Sequence, residues 1–369
     1  MKFYFVAGER SGDLHGSNLI FSLRKLNPNL KCRGFGGDAM EQAGMALTVH
    51  YRQLAFMGFA EVLANLKTIY DKLKQCKRDI LTFNPDAVVL IDYAGFNLRI
   101  ARFARAKGFR VFWYISPKVW AWNQSRATKL KAVVDKMFVI LPFEKDFFKK
   151  FHWDVDYVGN PVLDAVKAHR TDPDFLRNYN RSSSNVIALL PGSRKQEVSR
   201  LVPVLAEVAI KFPDYQFITA RVDNLDEVLY SPLRQLPNVK LLTGSTYDLL
   251  AYAKAAVVTS GTATLETCLF RVPQVVVYKT SPVSYQIGKR LIRVPFISLV
   301  NLIAGREVVK ELIQTHANAE EIILELSRIL QDTIYRNQII EGYQQVINLL
   351  DTGSASEQTA RLMLNYLKK

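Results

Sequence analysis

The sequence predicts an α/β protein built as two doubly wound parallel-sheet domains with a helical tail. Three observations carry this expectation. Short apolar runs at 2–7, 86–91, 110–115, 136–140, 185–190, 215–219, 255–258 and 274–278 alternate with amphipathic or polar-faced segments, the signature of parallel sheets flanked by helices. The series pauses at a polar stretch, 167–184, placed just after the turn Gly159-Asn160-Pro161, and restarts at Asn185. The length, 369 residues, suits two domains. The expected division is 1–166 for the first domain and 167–353 for the second. Residues 319–367 read as nearly all helical with a break at 351–354, and 354–369 are expected to cross back to the first domain. Paired domains of this kind place their strand C-terminal ends around a cleft, so the loops that follow strands are where functional residues belong.

Composition narrows the chemistry. A net charge of +15 points to an anionic partner: nucleic acid, an acidic membrane face or a phosphorylated substrate. The three cysteines, Cys32, Cys76 and Cys268, form no CxxC pair, which fits a reducing cytosol and no thiol metal site. Met1-Lys2 leads straight into the strand-like run Phe3–Ala7, so no signal peptide is expected. No apolar run approaches the ~20 residues that span a bilayer, so any membrane contact is expected to be peripheral.

The first strand ends at Gly8-Glu9-Arg10-Ser11-Gly12-Asp13, a glycine-containing loop that opens a helix. It is either a ligand-approach loop or a plain β–α turn. The stretch 34–39 (GFGGDA) heads a helix too short for a dinucleotide-binding unit, which disfavours a nicotinamide cofactor. From Met57 to Arg78, Val62, Leu66, Ile69 and Leu73 recur at helical spacing, with Lys67 and further lysines on the other faces. That pattern suits a sheet-covering helix, or a basic amphipathic surface for anionic lipid.

Asp92 closes the run Ala87–Ile91. A carboxylate at the end of a buried strand is partly desolvated, which raises its pKa and suits a general base; the alternative is a helix cap, a role for which Asn97 competes. Trp120 and Trp122 follow the next strand and either face a sugar or acyl group or anchor the loop. Asp154-Val155-Asp156 matches the DxD pattern of metal-dependent sugar transferases but is expected to be structural. In the second half, Arg194 follows Pro191-Gly192-Ser193 at a strand end and offers a fork of donors to a phosphate, or is simply exposed. Lys279 ends another strand, and Asn301 lies in a segment that returns towards the strand ends. Residues 255–270 read as a strand, a turn at Ser260-Gly261 and a helix from Thr262. The N–H groups near Gly261, Thr262 and Ala263 would suit a phosphate, and Glu266, one turn on, could accept from ribose hydroxyls; an ordinary β–turn–α unit explains the same residues. Metal-protease, nucleophile-elbow and P-loop patterns do not occur.

As an ordered set these motifs resemble the lipid-A-disaccharide synthase family. The set runs through residues 7–13 (AGERSGD), 57–63 (MGFAEVL), 116–122 (SPKVWAW), 141–144 (LPFE), 190–194 (LPGSR), 260–266 (SGTATLE) and 301–307 (NLIAGRE), covering nearly the whole chain. The resemblance implies a GT-B-type inverting glycosyltransferase of lipopolysaccharide synthesis, peripheral on the cytoplasmic face of the inner membrane of a Gram-negative bacterium. The implied reaction joins UDP-2,3-diacylglucosamine to 2,3-diacylglucosamine 1-phosphate, giving the disaccharide phosphate and UDP. The implied partners are those two substrates and an anionic membrane surface; no nucleic acid, metal or other cofactor is expected, and a homodimer is compatible with the sequence.

By family position Asp92 is the leading candidate for the base. Ser11, Arg194, Glu266 and Asn301 match active-site positions; Arg194, Ser260 to Ala263, Glu266 and Asn301 are expected on the UDP side, and Gly8, Ser11, Gly12, Asp13 and Trp120 at the acceptor or elsewhere in the cleft. The chain departs from the family at Gly95, where a second aspartate is common, at Val300, where proline is common, and at Arg10, where a small residue is common. The rivals are another UDP-sugar enzyme of the same fold, either a peptidoglycan glucosaminyl transferase or a UDP-sugar epimerase, and a basic nucleic-acid- or membrane-binding protein.

Overall fold

The computed structural model describes residues 1–54, 66–175 and 185–368, apart from the side chains of Leu66, Val283 and Ile287. The chain forms two compact units, Met1–Pro161 with Thr352–Lys369, and Val162–Asp351.

The first unit holds a seven-stranded sheet made of β1 (Lys2–Ala7), β2 (Lys31–Gly36), β3 (Met45–His50), β4 (Ala87–Ile91), β5 (Arg110–Tyr114), β6 (Lys136–Val139) and β7 (Asp156–Tyr157). Its order is β3-β2-β1-β4-β5-β6-β7, and every ladder is parallel. The second unit holds β8 (Val186–Leu190), β9 (Gln216–Arg221), β10 (Val239–Thr243), β11 (Ala255–Thr259), β12 (Gln274–Tyr278) and β13 (Glu311–Ile313) in the order β10-β9-β8-β11-β12-β13, again all parallel. The central strands β4, β8 and β11 are buried along their whole length. That is why they read as unbroken apolar runs: helices cover both faces of a parallel sheet. The strands outside the apolar runs, β2, β3, β7, β10 and β13, lie at or near sheet edges. There a strand is short, as in β7 and β13, or alternates with exposed residues, as in β10.

Strand order reverses between β1 and β4 in the first unit and between β8 and β11 in the second. At such a switch point the loops leaving neighbouring strands diverge to opposite faces and leave a crevice at the strand C-terminal ends. The loops after β1, β4, β8 and β11 carry Gly8–Asp13, Asp92, Arg194 and Ser260–Glu266 respectively.

The helix expected over 57–78 is described from Leu66 to Phe83. Leu73, Cys76 and Ile80 are buried and Ile69 half-buried, while Lys67, Lys74 and Arg78 are exposed. The described part therefore covers the sheet with its apolar stripe; Val62 and the rest of 55–65 lie outside the described residues. The last helix, Ala355–Lys368, belongs to the first unit, where Ala360 and Met363 join the core with Leu19, Ile20 and Leu23. Tyr366 donates from its hydroxyl to Asp156 at 3.1 Å. The second aspartate of the DxD thus helps to hold the C-terminal helix. Of the polar stretch 167–184, the described part is packed on the second unit: His169 meets Asp248 at 3.0 Å and Phe175 stacks on Tyr252.

Candidate active site

The switch point of the first unit gathers Glu9, Asp92 and Lys118. β1 and β4 pair with Ala7 opposite Ile91, so Glu9 and Asp92 leave adjacent strands; Lys118 follows β5, the next strand. The chain turns sharply after β4, with Asp92 at φ 43° and Tyr93 at φ 45°. Two successive non-glycine residues in the left-handed region are costly and concentrate at functional sites. The turn is held by Asp92 N donating to Tyr114 O at 3.2 Å and by Tyr93 Oη donating to Leu54 O at 3.0 Å. The Tyr93 ring lies over Gly8: a Cβ there would stand 2.3 Å from it. This close approach is the physical requirement for glycine at position 8.

Burial pushes the Asp92 carboxyl up to about 6, helped by the adjacent Glu9 carboxyl and opposed by Lys118. A base that titrates just below neutrality is ionised at working pH yet retains affinity for a proton. The capping alternative fails for both candidates. Tyr93 is the N-cap of the helix Ala94–Ala106 and makes no side-chain cap bond. Asn97 is buried inside that helix and donates to Ile91 O and Asp92 O at 3.2 and 2.8 Å, fixing the strand end from beneath.

Asp13 is buried and accepts from three backbone N–H groups, Gly37 at 2.7 Å, Ala39 at 3.1 Å and Met40 at 3.1 Å. It caps the short helix Asp38–Gln42. Trp120 is buried with its ring edge-on to Phe143 at 5.0 Å, so it anchors its loop, whereas Trp122 is 45% exposed. Ser11 is exposed and donates to Glu9 at 3.0 Å; Gly12 packs on Ala7. A fully buried carboxyl that sequence reading left inside a motif, Glu144, accepts from the Ser116 hydroxyl and from the N–H groups of Ile140 and Leu141. Burial pushes it up to about 7. It ties the loops after β5 and β6 together, which fixes the segment carrying Lys118.

In the second unit the helix Thr262–Leu269 begins at Gly261, and a Cβ at Gly261 would meet nothing within 4 Å, so the space before the helix N-terminus is open. Ser260 Oγ donates to Ile297 O at 2.7 Å. Glu266 accepts from Tyr247 Oη at 3.1 Å, and burial raises its pKa while that bond lowers it. Tyr247, not singled out from sequence, leads the helix Thr246–Tyr252 after β10. The Arg194 guanidinium is largely exposed and meets Glu197 at 2.9 Å through one nitrogen, leaving its other donors for a ligand. Lys279 donates to Ala317 O at 3.1 Å. Asn301 is fully buried and all of its amide capacity is used, with Nδ2 donating to Val309 O and Glu311 and Oδ1 accepting from Val308 and Val309 N–H. These four bonds hold its loop.

Among the described residues, no group of three or more His, Cys, Asp or Glu is placed to hold a metal ion. No described helix is long and apolar enough to cross a membrane.

Solved structures fix the class. The chain is similar to a UDP-GlcNAc 2-epimerase from Neisseria meningitidis bound to UDP-GlcNAc (TM-score 0.70, 15% identity, 99% of this chain and 100% of that one). It is equally similar in architecture to the glycotransferase of kitacinnamycin (TM-score 0.68, 13% identity, 99% of each chain). Two parallel-sheet units with these neighbours define a protein of GT-B type. Sequence then decides within that class. The family described as lipid-A-disaccharide synthetase matches residues 3–363. Lipid-A-disaccharide synthases from Syntrophus aciditrophicus and Geobacter metallireducens are 41% and 39% identical to this chain, each over 99% of it and 97% of the relative. One from Coxiella burnetii is 36% identical over 98% of this chain and 97% of its own length. The chain belongs to the lipid-A-disaccharide synthetase family, a family of glycosyltransferases, and the epimerase and binding-protein readings are not favoured.

Proposed function

We propose that the protein transfers 2,3-diacylglucosamine from its UDP conjugate to the 6-hydroxyl of 2,3-diacylglucosamine 1-phosphate. The observation that carries the mechanism is Asp92, held in a strained turn at the switch point of the first unit with its carboxyl at about 6. In this reading the Asp92 carboxylate takes the proton of the acceptor hydroxyl as that oxygen attacks the anomeric carbon. The bond from that carbon to the β-phosphate oxygen breaks, and UDP leaves with the electron pair. Attack opposite the leaving group inverts an α-linked donor to a β-1,6 product. Burial, with Glu9 beside it, keeps Asp92 basic enough to hold the proton.

The second unit binds the donor. Its open helix N-terminus at Gly261–Ala263 and the exposed donors of Arg194 meet the charge that develops on the departing diphosphate. Glu266, oriented by Tyr247, accepts from the ribose hydroxyls. No metal enters this scheme, so EDTA is expected to leave the rate unchanged; a chelator-sensitive rate restored by Mg²⁺ would replace the cationic role of Arg194 and the helix. The positive net charge suits attachment to an anionic membrane face, where both acylated substrates reside. Salt-sensitive cosedimentation with vesicles containing anionic lipid, and none with neutral vesicles, is the expected result.

A mass-resolved assay with UDP-2,3-diacylglucosamine and 2,3-diacylglucosamine 1-phosphate tests the reading. The disaccharide monophosphate should form, with non-acylated UDP-N-acetylglucosamine a poor donor. Preference for the non-acylated donor would assign the chain to another UDP-sugar reaction.

A further inference from the structure

We propose that Glu311, the first residue of edge strand β13, is the positioning residue that locks the donor diphosphate turn in place. The proposal rests on the reading that Ser260–Ala263 receives the diphosphate. Three donors converge on the Glu311 carboxylate: Ile297 N–H at 2.9 Å on Oε2, and Ser298 N–H and Asn301 Nδ2 at 2.9 Å on Oε1. Ser298 is the N-cap of the helix Leu299–Ala304, and its hydroxyl accepts from Asn301 N–H at 3.2 Å. The carbonyl of Ile297, whose N–H Glu311 holds, accepts from Ser260 Oγ at 2.7 Å. One relay therefore runs from β13 through the Ile297–Ser298 segment to the turn between β11 and the helix that opens at Gly261.

The chemistry of this relay explains the residue types. Ser298 and Asn301 are fully buried, so their donors cannot fall back on water. A carboxylate answers three donors with acceptors alone, whereas an amide would point N–H groups at N–H groups. The backbone register helps: Glu311 lies opposite Val276 in the β12–β13 ladder, so the carboxylate stands on a rigid strand and not on a loop. Asn301, with its four bonds, is the cross-brace of the same segment. Glu311 touches no substrate in this proposal; it acts through Ile297 and Ser260.

The test pairs Glu311→Gln with Ser260→Ala and the double variant, reading donor KM, kcat and UDP Kd by calorimetry. In Glu311→Gln, donor KM and UDP Kd should rise about tenfold with kcat within about threefold, because the loss is of a pre-set binding site and not of the proton-transfer step. Ser260→Ala should raise UDP Kd by a smaller factor. The double variant should be little worse than Glu311→Gln alone, since both cut one relay. Unchanged UDP Kd in folded Glu311→Gln, or multiplicative effects in the double variant, would overturn the proposal. Should Glu311→Gln not fold, unchanged UDP Kd in Ser260→Ala overturns it. Absence of UDP binding by the unaltered protein is a different failure: it removes the donor-site reading itself, and the proposal with it.

Discussion

Asp92 illustrates what a single residue gains from its address. Its neighbours Ala87–Ile91 bury the strand end, Glu9 adds a second negative charge, and Lys118 partly offsets both. The position at the end of an apolar run was legible in the sequence, because strand C-terminal ends are where ligands meet an α/β sheet. The company of Glu9 was not, because strand adjacency between β1 and β4 is a property of the sheet. With Asp92 as the proposed base, its ionised form would be the active one, and kcat/KM should rise with pH through about 6 and level off above it.

The sign for stability is opposite. The folded carboxyl titrates above its ordinary value, so its contribution is intact at acid pH and declines as pH rises towards about 6. Asp92→Asn removes that penalty and should raise Tm by about 2 °C at neutral pH, equivalent to about 1 kcal/mol; a lower Tm would contradict the assigned burial. Glu266→Ala should weaken UDP binding about tenfold, with kcat little changed. Unchanged UDP affinity would remove Glu266 from the ribose. Asp13 and Asn301 show the limit of motif reading. Both sit inside family motifs, and both hold their own chain, Asp13 through three backbone N–H groups and Asn301 through Val308, Val309 and Glu311. A motif marks residues that a site requires, and it does not separate those that touch ligand from those that hold the loop.

The informative elements are loops joined to strands. The β–turn–α unit at 255–270 was legible as local structure from its apolar run, small-residue turn and helix start. Its partner segment 297–311 was not, because nothing in the local pattern shows that Ser260 bonds Ile297 or that Glu311 closes the loop; those contacts span 37 and 14 residues. The helix Asp38–Gln42 is similar: too short to hold itself, it is capped by Asp13 from 24 residues upstream of Gly37. Asp13→Ala leaves three backbone N–H groups, two of them buried, without their acceptor and should cost about 2 kcal/mol. Denaturant titration will show this as a lower midpoint with an unchanged slope. A variant as stable as the unaltered protein would mean that water replaces the carboxylate.

The whole molecule is built as two units, and the chain order follows that division except at the end. Thr352–Lys369 leaves the second unit and completes the first. That return was expected for 354–369; the contacts of Ala360, Met363 and Tyr366 show which part of the first unit the last helix packs on. Removal of residues 352–369 should therefore destabilise the first unit by on the order of 5 kcal/mol while UDP binding by the second unit persists. Loss of UDP binding with preserved stability of the first unit would reverse that assignment.

The central claim is that proton transfer belongs to the first unit and donor binding to the second. The direct measurement is kcat together with UDP Kd for Asp92→Asn. Turnover should fall by roughly a hundredfold or more, with UDP Kd unchanged. Near-normal turnover, or a loss matched by equally weakened UDP binding, would contradict the account.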